Sequence, residues 1–425
     1  MSLTKNYKAQ HRFSITSSWV VFWLIWPFGA LVRALKQFRS PVAPTVFWLF
    51  CVYFGFVFII AEDVPGAIDS TRIATSFTQQ HQNPLTLPEL TGMFFLPETG
   101  LADVYLPLII WLVAFFTGNP QILFLVFAAV FGFFYTKNLW FIYNKVQVRV
   151  GLLLFLFMLA FALANPIWAI NSVRMWTAAQ IFVFGILTYT LNNSKRGLLV
   201  AGLSMLVHFS FFIPYFLFLA WYFLPKRITV FMVLYIITAF VSEIDLAVVR
   251  DGIARLPDFL QVRMEGYATE RRAVFIAERI EAQTWHVALA AWTEKILIYA
   301  WAITLFYYHK NFAKTLPEAA KLFSLALFLG AFANLAMLVP SGERFIIISD
   351  ILFLAVIIWL FGVGFFNKKA QTIKLATYPV IVFSILFSVR MGMGFFGISA
   401  LISNPFIAMV FADQVPLIDF IKRFF

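Results

Sequence analysis

Ile351-Leu-Phe-Leu-Ala-Val-Ile-Ile-Trp-Leu-Phe-Gly-Val-Gly-Phe-Phe366 runs without a charged side chain and then stops at Lys368 and Lys369. A strand with one face on a core alternates apolar and polar residues, and a membrane β-barrel strand does so in segments of about ten residues. This run is apolar on every face, as a helix surrounded by lipid or by other apolar helices requires. Tyr378–Val389 has the same continuous character. Two such runs decide against a barrel and for membrane-spanning helices.

The rest of the chain agrees. Its 425 residues are 62% hydrophobic and 12% charged, against roughly 25% charged in a soluble domain. Too little polar surface exists to face water on all sides, so most of the exterior must face lipid. An aromatic content of 19%, with 54 Phe, suits lipid-facing positions and interfacial belts. The expected fold is all-α: a polytopic transmembrane helical bundle of about 11–14 membrane helices, some short or broken, with an amphipathic segment on the outer face.

The formal net charge is +12. In a membrane protein Lys and Arg collect in cytoplasmic loops for topological reasons, so no nucleic-acid partner is expected. Cys51 is the sole cysteine, which rules out an intrachain disulfide framework and a thiolate metal site. Lys5, Lys8 and Arg12 precede apolar Trp19–Val32 much as in a signal peptide. Arg33, Lys36 and Arg39 follow with no small-residue cleavage site, so the stretch reads as a retained membrane-associated helix. Residues 1–43 form a basic extension on this reading, and residues 44–425 one polytopic membrane domain.

Basic clusters at Lys137/Lys145/Arg149, Lys195/Arg196, Lys226/Arg227, Lys310/Lys314 and Lys368/Lys369/Lys374 are expected on the cytoplasmic side. Between neighbouring clusters the apolar chain goes out and back. That places Arg174, His208, Arg344 and Arg390 together on the outer face. Gly197–Leu224 is short for two spans of about 20 residues each, so its halves are expected to be short or broken near His208. Residues 62–102 form a first outer loop. Residues 243–283 form a second, where mixed charges interleaved with Leu and Val suit surface helices or a solvated loop. Between residues 103 and 136, Val104–Phe116 and Gln121–Phe134 look like two helices where an odd number of crossings is needed. One of them does not span, and the sequence leaves open which.

Asn165-Pro-Ile-Trp-Ala-Ile-Asn-Ser-Val-Arg174 is the most informative stretch. Arg174 opens an apolar run on the face opposite the positive-inside bias, with Asn171 three residues before it on the same helical face. Snorkelling to headgroups is the plain alternative, but a guanidinium also grips phosphate oxygens in bidentate fashion. His208, followed by Ser210, sits at the hairpin tip; it is a structural hydrogen-bonding histidine or a general base. Glu343-Arg344-Phe345 is a tight outer turn that either caps a helix or delivers an acid and a cation. Arg390 is a further outward arginine. Several outward arginines together suggest a polyanion such as a diphosphate, where no single one would. Asp69, Arg72, Glu98 and Asp103 lie in or beside the first outer loop. There a carboxylate would either be solvated or serve sugar transfer by taking a proton or steadying positive charge on the ring. Metal-ligand, P-loop and serine-hydrolase patterns do not occur, and no metal or other cofactor is expected.

Glu98-Thr-Gly-Leu, Gly118-Asn-Pro-Gln121, Asn171-Ser-Val-Arg174 with Ala178, His208-Phe-Ser210 and Glu343-Arg344-Phe345 follow one another in an order that resembles the EpsG/Wzy-type exopolysaccharide (O-antigen) polymerases. The resemblance runs from about Pro44 to the C-terminus. Met175 stands where that family often has Gln, and Asp69 is followed by Ser70-Thr-Arg72 where the family often has Asp-Tyr. The resemblance implies a multi-pass enzyme of the bacterial inner membrane that joins oligosaccharide repeat units carried on undecaprenyl diphosphate at the outer face. His208, Asp69, Glu98 and Glu343 would be its catalytic candidates. Arg174, Arg344 and Arg390 would bind the diphosphate, with Asn171, Ser210, Arg72 and Asp103 in support. A chain-length regulator and a flippase are the further partners it suggests. Competing readings are a lipid-linked sugar transporter, another lipid-linked glycosyltransferase or O-antigen ligase, and a membrane O-acyltransferase. A transporter predicts an internal inverted repeat and charges through the membrane centre. The sequence has no evident repeat and gathers its charges at one face.

Overall fold

The computed structural model describes residues 15–60, 69–94, 103–241, 284–339, 342–411 and 415–424, with isolated positions between 251 and 278. Glu98 and the amphipathic reading of residues 243–283 lie outside the described residues. Within them the chain is helical throughout, its one extended pairing the single bridge Phe58–Phe396.

The helices are α1 (Ser17–Ile25), α2 (Pro27–Lys36), α3 (Ala43–Phe56), α4 (Asp69–Gln82), α5 (Leu87–Met93), α6 (Tyr105–Ala114), α7 (Pro120–Tyr143), α8 (Leu152–Leu163), α9 (Val173–Asn192), α10 (Arg196–Val207), α11 (Phe212–Phe223) and α12 (Ile228–Ala239). They continue as α13 (Trp285–Thr315), α14 (Pro317–Ala336), α15 (Ile346–Gly362) and α16 (Gln371–Gly392), with three short helices after them. Six stretches are long and apolar enough to cross a membrane, and five shorter apolar helices accompany them. The protein is a multi-pass all-α membrane bundle.

The run Ile351–Leu360 lies in α15, and every side chain in it is buried. Of the membrane-length window of α15, 78% is buried, against 17% for α16. A helix apolar on all sides can sit at the centre of a bundle or at its rim, because lipid and protein interior are equally good solvents for it.

The lysines expected on the cytoplasmic side gather at one end of the bundle. Lys145 lies 4.7 Å over the Trp359 ring and Lys369 lies 5.5 Å over Tyr308; Lys321, outside the predicted clusters, lies 4.0 Å over Tyr189. Lys226 donates to the carbonyls of Trp221, Tyr222 and Leu224, closing the C-terminus of α11. Each contact keeps the ammonium at a helix end while its stem covers aromatic surface.

α9 and α10 touch through small residues. A Cβ on Gly185 would lie 2.4 Å from the Ala201 backbone nitrogen, and one on Gly197 would lie 2.5 Å from the Gly185 carbonyl oxygen. Gly197 and Ala201 are one turn apart, the spacing that lets two helix backbones approach. Gly185→Leu is therefore expected to destabilise the protein by about 1–3 kcal/mol or more through overpacking. The check is the melting temperature and the monodisperse yield in detergent; wild-type values for both would contradict this packing.

The hairpin after α10 is broken, as its length predicts. His208 is extended at φ −148°, ψ 117°, and a 3-10 turn Phe209–Phe211 leads into α11. The break frees the Leu206 carbonyl, which accepts a hydrogen bond from the Val104 N–H at 2.9 Å. Irregular backbone at depth is thus satisfied by protein. The uncertainty between residues 103 and 136 also resolves. α6 has ten residues, about 15 Å of helix, too short to cross, whereas α7 has 24 and is long and apolar enough to cross. α6 instead braces α4, part of the expected first outer loop. His81 Nδ1 lies 2.7 Å from the Ala114 carbonyl, and Trp111 Nε1 donates to the Leu85 carbonyl at 2.8 Å. Glu89 is used in a capping box with Thr86 at the start of α5.

Candidate functional site

Five separate segments bring charged side chains to one place. Asp69 and Arg72 occupy the first turn of α4, where a carboxylate suits the helix N-terminus. Asp103 precedes α6, Arg174 sits in the first turn of α9, and His208 occupies the break after α10. Arg344 belongs to the 3-10 turn Gly342–Phe345 that opens α15. Asp69, Arg72, Ser172, Arg174, His208 and Arg344 line one cavity of about 270 Å³, with Ile73, Leu106 and Ile110 among its apolar walls. It lies at the opposite end of α9 from Asn193, which accepts from Lys321 at the lysine-rich end. Arg174, His208 and Arg344, expected on one face together with Arg390, line this one cavity.

Asp103 is the hub. Its Oδ2 accepts from the Arg174 guanidinium at 3.0 Å and lies 3.0 Å from His208 Nδ1, while Oδ1 accepts from the Phe209 N–H at 2.6 Å. The Asp103 side chain is 4% exposed, that of His208 14% and that of Arg174 43%. Burial pushes the Asp103 carboxyl up. The hydrogen bond and charge of His208, the Phe209 N–H and the Arg174 charge outweigh it, and the net displacement is below the ordinary carboxylate range. Asp69 follows the same pattern. Burial raises it, but hydrogen bonds from Ser172 at 2.8 Å and from Arg72, with the charges of Arg72 and Arg174, bring it below its ordinary value. Both are anions at neutral pH.

The linkage sign follows from this. A carboxyl whose folded value is depressed stabilises the protein fully above its unfolded value and loses that contribution as pH falls through the folded one. Melting temperature is expected to be insensitive to these two groups at neutral pH and to fall below about pH 4. Asp103→Asn should blunt that acid loss. An identical acid profile in the variant would place the acid-sensitive groups elsewhere.

His208 Nδ1 faces the Asp103 carboxylate and the ring lines the cavity; in its neutral form the ring holds its proton on Nδ1 toward that anion and offers Nε2 as an acceptor. Arg72 pairs with Asp69 and Arg174 with Asp103. Arg344 has no carboxylate partner among the described residues, so the described charges of the site leave one positive charge over. An arginine-lined recess with an oriented imidazole suits an anionic ligand and a proton to be taken from it or its co-substrate. The described residues hold no cluster of metal-ligating side chains.

Some expectations need correction. Asn171 belongs to the 3-10 turn Ile167–Ser172, and Ser172 at ψ 62° breaks the path to α9, so Asn171 and Arg174 do not share a helical face. Asn171 Oδ1 is buried without a hydrogen bond, and the residue does not line the cavity. Ser210 is also outside the lining, its hydroxyl 3.9 Å from the Met175 sulfur. Glu343 is exposed and does not line the cavity that its neighbour Arg344 lines. Arg390 is exposed at the end of α16, its guanidinium 3.9 Å from the Met391 sulfur. Gly392 at its helix end packs on Trp168, and Arg390 does not line the cavity. Ser172 is the residue sequence reasoning passed over, and Asp103, read as supporting, is central. Asp103 could have been found by the signal that marked Arg174, a lone charge immediately before an apolar run.

No family model, no curated protein and no solved structure matches this chain.

Proposed function

We propose that the protein is a glycosyltransferase that uses a polyprenyl-diphosphate-linked sugar as donor, and specifically a polymerase of undecaprenyl-diphosphate-linked repeat units at the outer face of the bacterial inner membrane. The observation that carries this reading is the convergence of Arg174, Arg344 and an Asp103-oriented His208 on one cavity. It adds to the ordered motifs that resemble the EpsG/Wzy-type enzymes.

His208 Nε2 takes the proton from the acceptor hydroxyl. The acceptor oxygen forms its bond to the anomeric carbon, and the bond from that carbon to the phosphate oxygen breaks. Its electrons leave with the lipid diphosphate, whose added charge is met by Arg344, Arg174 and Arg72. Asp103 holds the ring in one tautomer and steadies the imidazolium. Asp69 is engaged through both oxygens, with Arg72 and with Ser172. It therefore acts by holding Arg72 and the α9 entrance in place, and His208 is the proton acceptor.

Reconstitution with a lipid-diphosphate oligosaccharide tests the reading. Chain lengthening with release of lipid diphosphate is expected. Transfer only to a different acceptor glycan would make it an O-antigen ligase, and donor crossing the bilayer unreacted would make it a flippase.

A further inference from the structure

The 22 residues between Arg390 and Asp413 carry no charged side chain, whereas roughly a quarter of the residues of a water-soluble chain are charged. Two short helices lie within this stretch, α17 (Ser399–Ile402) and α18 (Pro405–Val410). The chain leaves the end of α16 and comes back to it. The Leu417 N–H donates to the Phe396 carbonyl at 2.8 Å, and the Ile418 N–H to the Met393 carbonyl at 3.2 Å.

Between those ends the segment descends along α3. Phe396 pairs with Phe58, just past the end of α3, and the Ile59 N–H donates to the Phe395 carbonyl at 2.9 Å. Three residues on, the Ser399 carbonyl accepts from the Tyr53 hydroxyl at 2.8 Å. The Leu401 carbonyl then accepts from Trp26 Nε1 at 2.7 Å. Trp26 fixes the depth. It directly precedes α2, ten residues or about 15 Å long. α2 ends beside Lys145, where the Phe38 carbonyl accepts from Trp140 Nε1 and Arg39 donates to the Val148 carbonyl. Trp26 thus stands at most roughly 22 Å from the lysine-rich end, inside a hydrocarbon core about 30 Å thick. α1 folds back on α2 there, with the Arg33 guanidinium 4.8 Å over the Trp19 ring. Trp26 is therefore the tip of a hairpin that stops part-way, and the segment after α16 reaches it from the other side.

The side chains turned outward along this segment are apolar. Ile402, Phe406, Met409, Val410 and Phe411 are 63–73% exposed, while Ala400 and Ala408 are buried. Among the described residues from 390 to 424, charges appear only where the segment leaves and returns. Arg390 is exposed there, and so are Arg423 and the pair of Lys422 with Asp419. A charged rim around an uncharged, apolar body matches headgroups over acyl chains. The irregular backbone is satisfied by side chains: Tyr53 and Trp26 serve the two carbonyls, and Asn404 Oδ1 accepts from the Ile407 N–H at 2.9 Å. A loop in water has no need of such partners, and one among acyl chains does.

We propose that Phe396–Phe411 is a re-entrant segment that dips into the leaflet opposite the lysine-rich end, where lipid acyl chains cover its exposed apolar face. Its hydrogen bonds are completed within its own chain, so no protein partner is required to hold it at that depth. The inference rests on packing alone and on no part of the reaction proposed above.

The wild-type chain in nanodiscs of phosphatidylcholine carrying a diazirine on one acyl chain is illuminated, and adducts are located by peptide mass spectrometry. Adducts within residues 405–411 are expected. Their absence beside adducts at Leu386, which is 64% exposed on the membrane-length helix α16, overturns the proposal, and that arm needs no variant to fold. Nitroxides on Met409→Cys and on Asp419→Cys, each in Cys51→Ala, then report the surroundings. The ratio of oxygen to nickel-chelate collisions at position 409 should exceed that at position 419 about tenfold or more, because the charged chelate is excluded from hydrocarbon. Equal ratios would leave the segment in water. Few collisions with either reagent at position 409, with dipolar coupling between two labelled chains, would put a second copy on this face. Either result overturns the proposal.

Discussion

His208→Gln is expected to lower turnover of the lipid-linked donor by roughly 10²–10⁴-fold, the range for loss of a positioned general base, with KM changed only a few-fold. The reason is positional. Asp103 is already engaged by Arg174, His208 and the Phe209 N–H, and Asp69 by Ser172 and Arg72. His208 Nε2 is the acceptor left over. Asp103→Asn should bring a comparable fall by a different route. Its amide presents hydrogens to two donors, so the ring loses its fixed tautomer and Arg174 its anchor. Because the Asp103 site is buried, that variant should also lose about 1–3 kcal/mol of stability, whereas His208→Gln should melt nearly as wild type. The measurement is initial rate by lipid diphosphate release, with melting temperature beside it. Full activity in His208→Gln would remove the base from the mechanism.

Arg174→Ala and Arg344→Ala should each reduce turnover by roughly 10²–10³-fold, the scale for removing one donor aimed at developing charge. The two differ in their side effects. Arg174 also covers Asp103, so its loss costs stability, at the low end of about 1–3 kcal/mol because Arg174 is half-exposed. Arg344 has no carboxylate partner among the described residues, so Arg344→Ala should leave the melting temperature unchanged. Arg344→Lys should restore part of the rate, since an ammonium keeps the charge and loses the bidentate geometry. Glu343→Ala and Arg390→Ala should stay within about threefold of wild type, because exposed side chains outside the cavity have nothing to stabilise there. An Arg390→Ala defect as deep as that of Arg174→Ala would move the anion site off this cavity.

Three features of the site were legible in residue order alone. The basic clusters set which chain ends share a face, and that grouped Arg174, His208 and Arg344. The length of Gly197–Leu224, too short for two full spans, put a break at His208. The lone charge before an apolar run marked Arg174. The same logic overreached at Arg390, because sharing a face of the bundle is a weaker condition than pointing into one cavity of it. It also failed for Asn171, whose i to i+3 relation to Arg174 presumed a continuous helix that Ser172 interrupts.

Sequence by itself determined that this protein lives in a membrane as helices, because hydropathy measures transfer out of water and these apolar runs are too long and too continuous for anything else. It also determined which ends carry the lysines. Only the tertiary structure decided that α15 is central and α16 peripheral, that α6 stops short while α7 is long enough to cross, and that Asp103 joins Arg174 to His208. Lipid and protein interior are alike to an apolar side chain, so hydropathy cannot rank helices by depth in the bundle. The hub at Asp103 depends on distances of about 3 Å between segments up to 106 residues apart. Such distances are properties of packing, and the small-residue contact of α9 with α10 and the bracing of α4 by α6 set them.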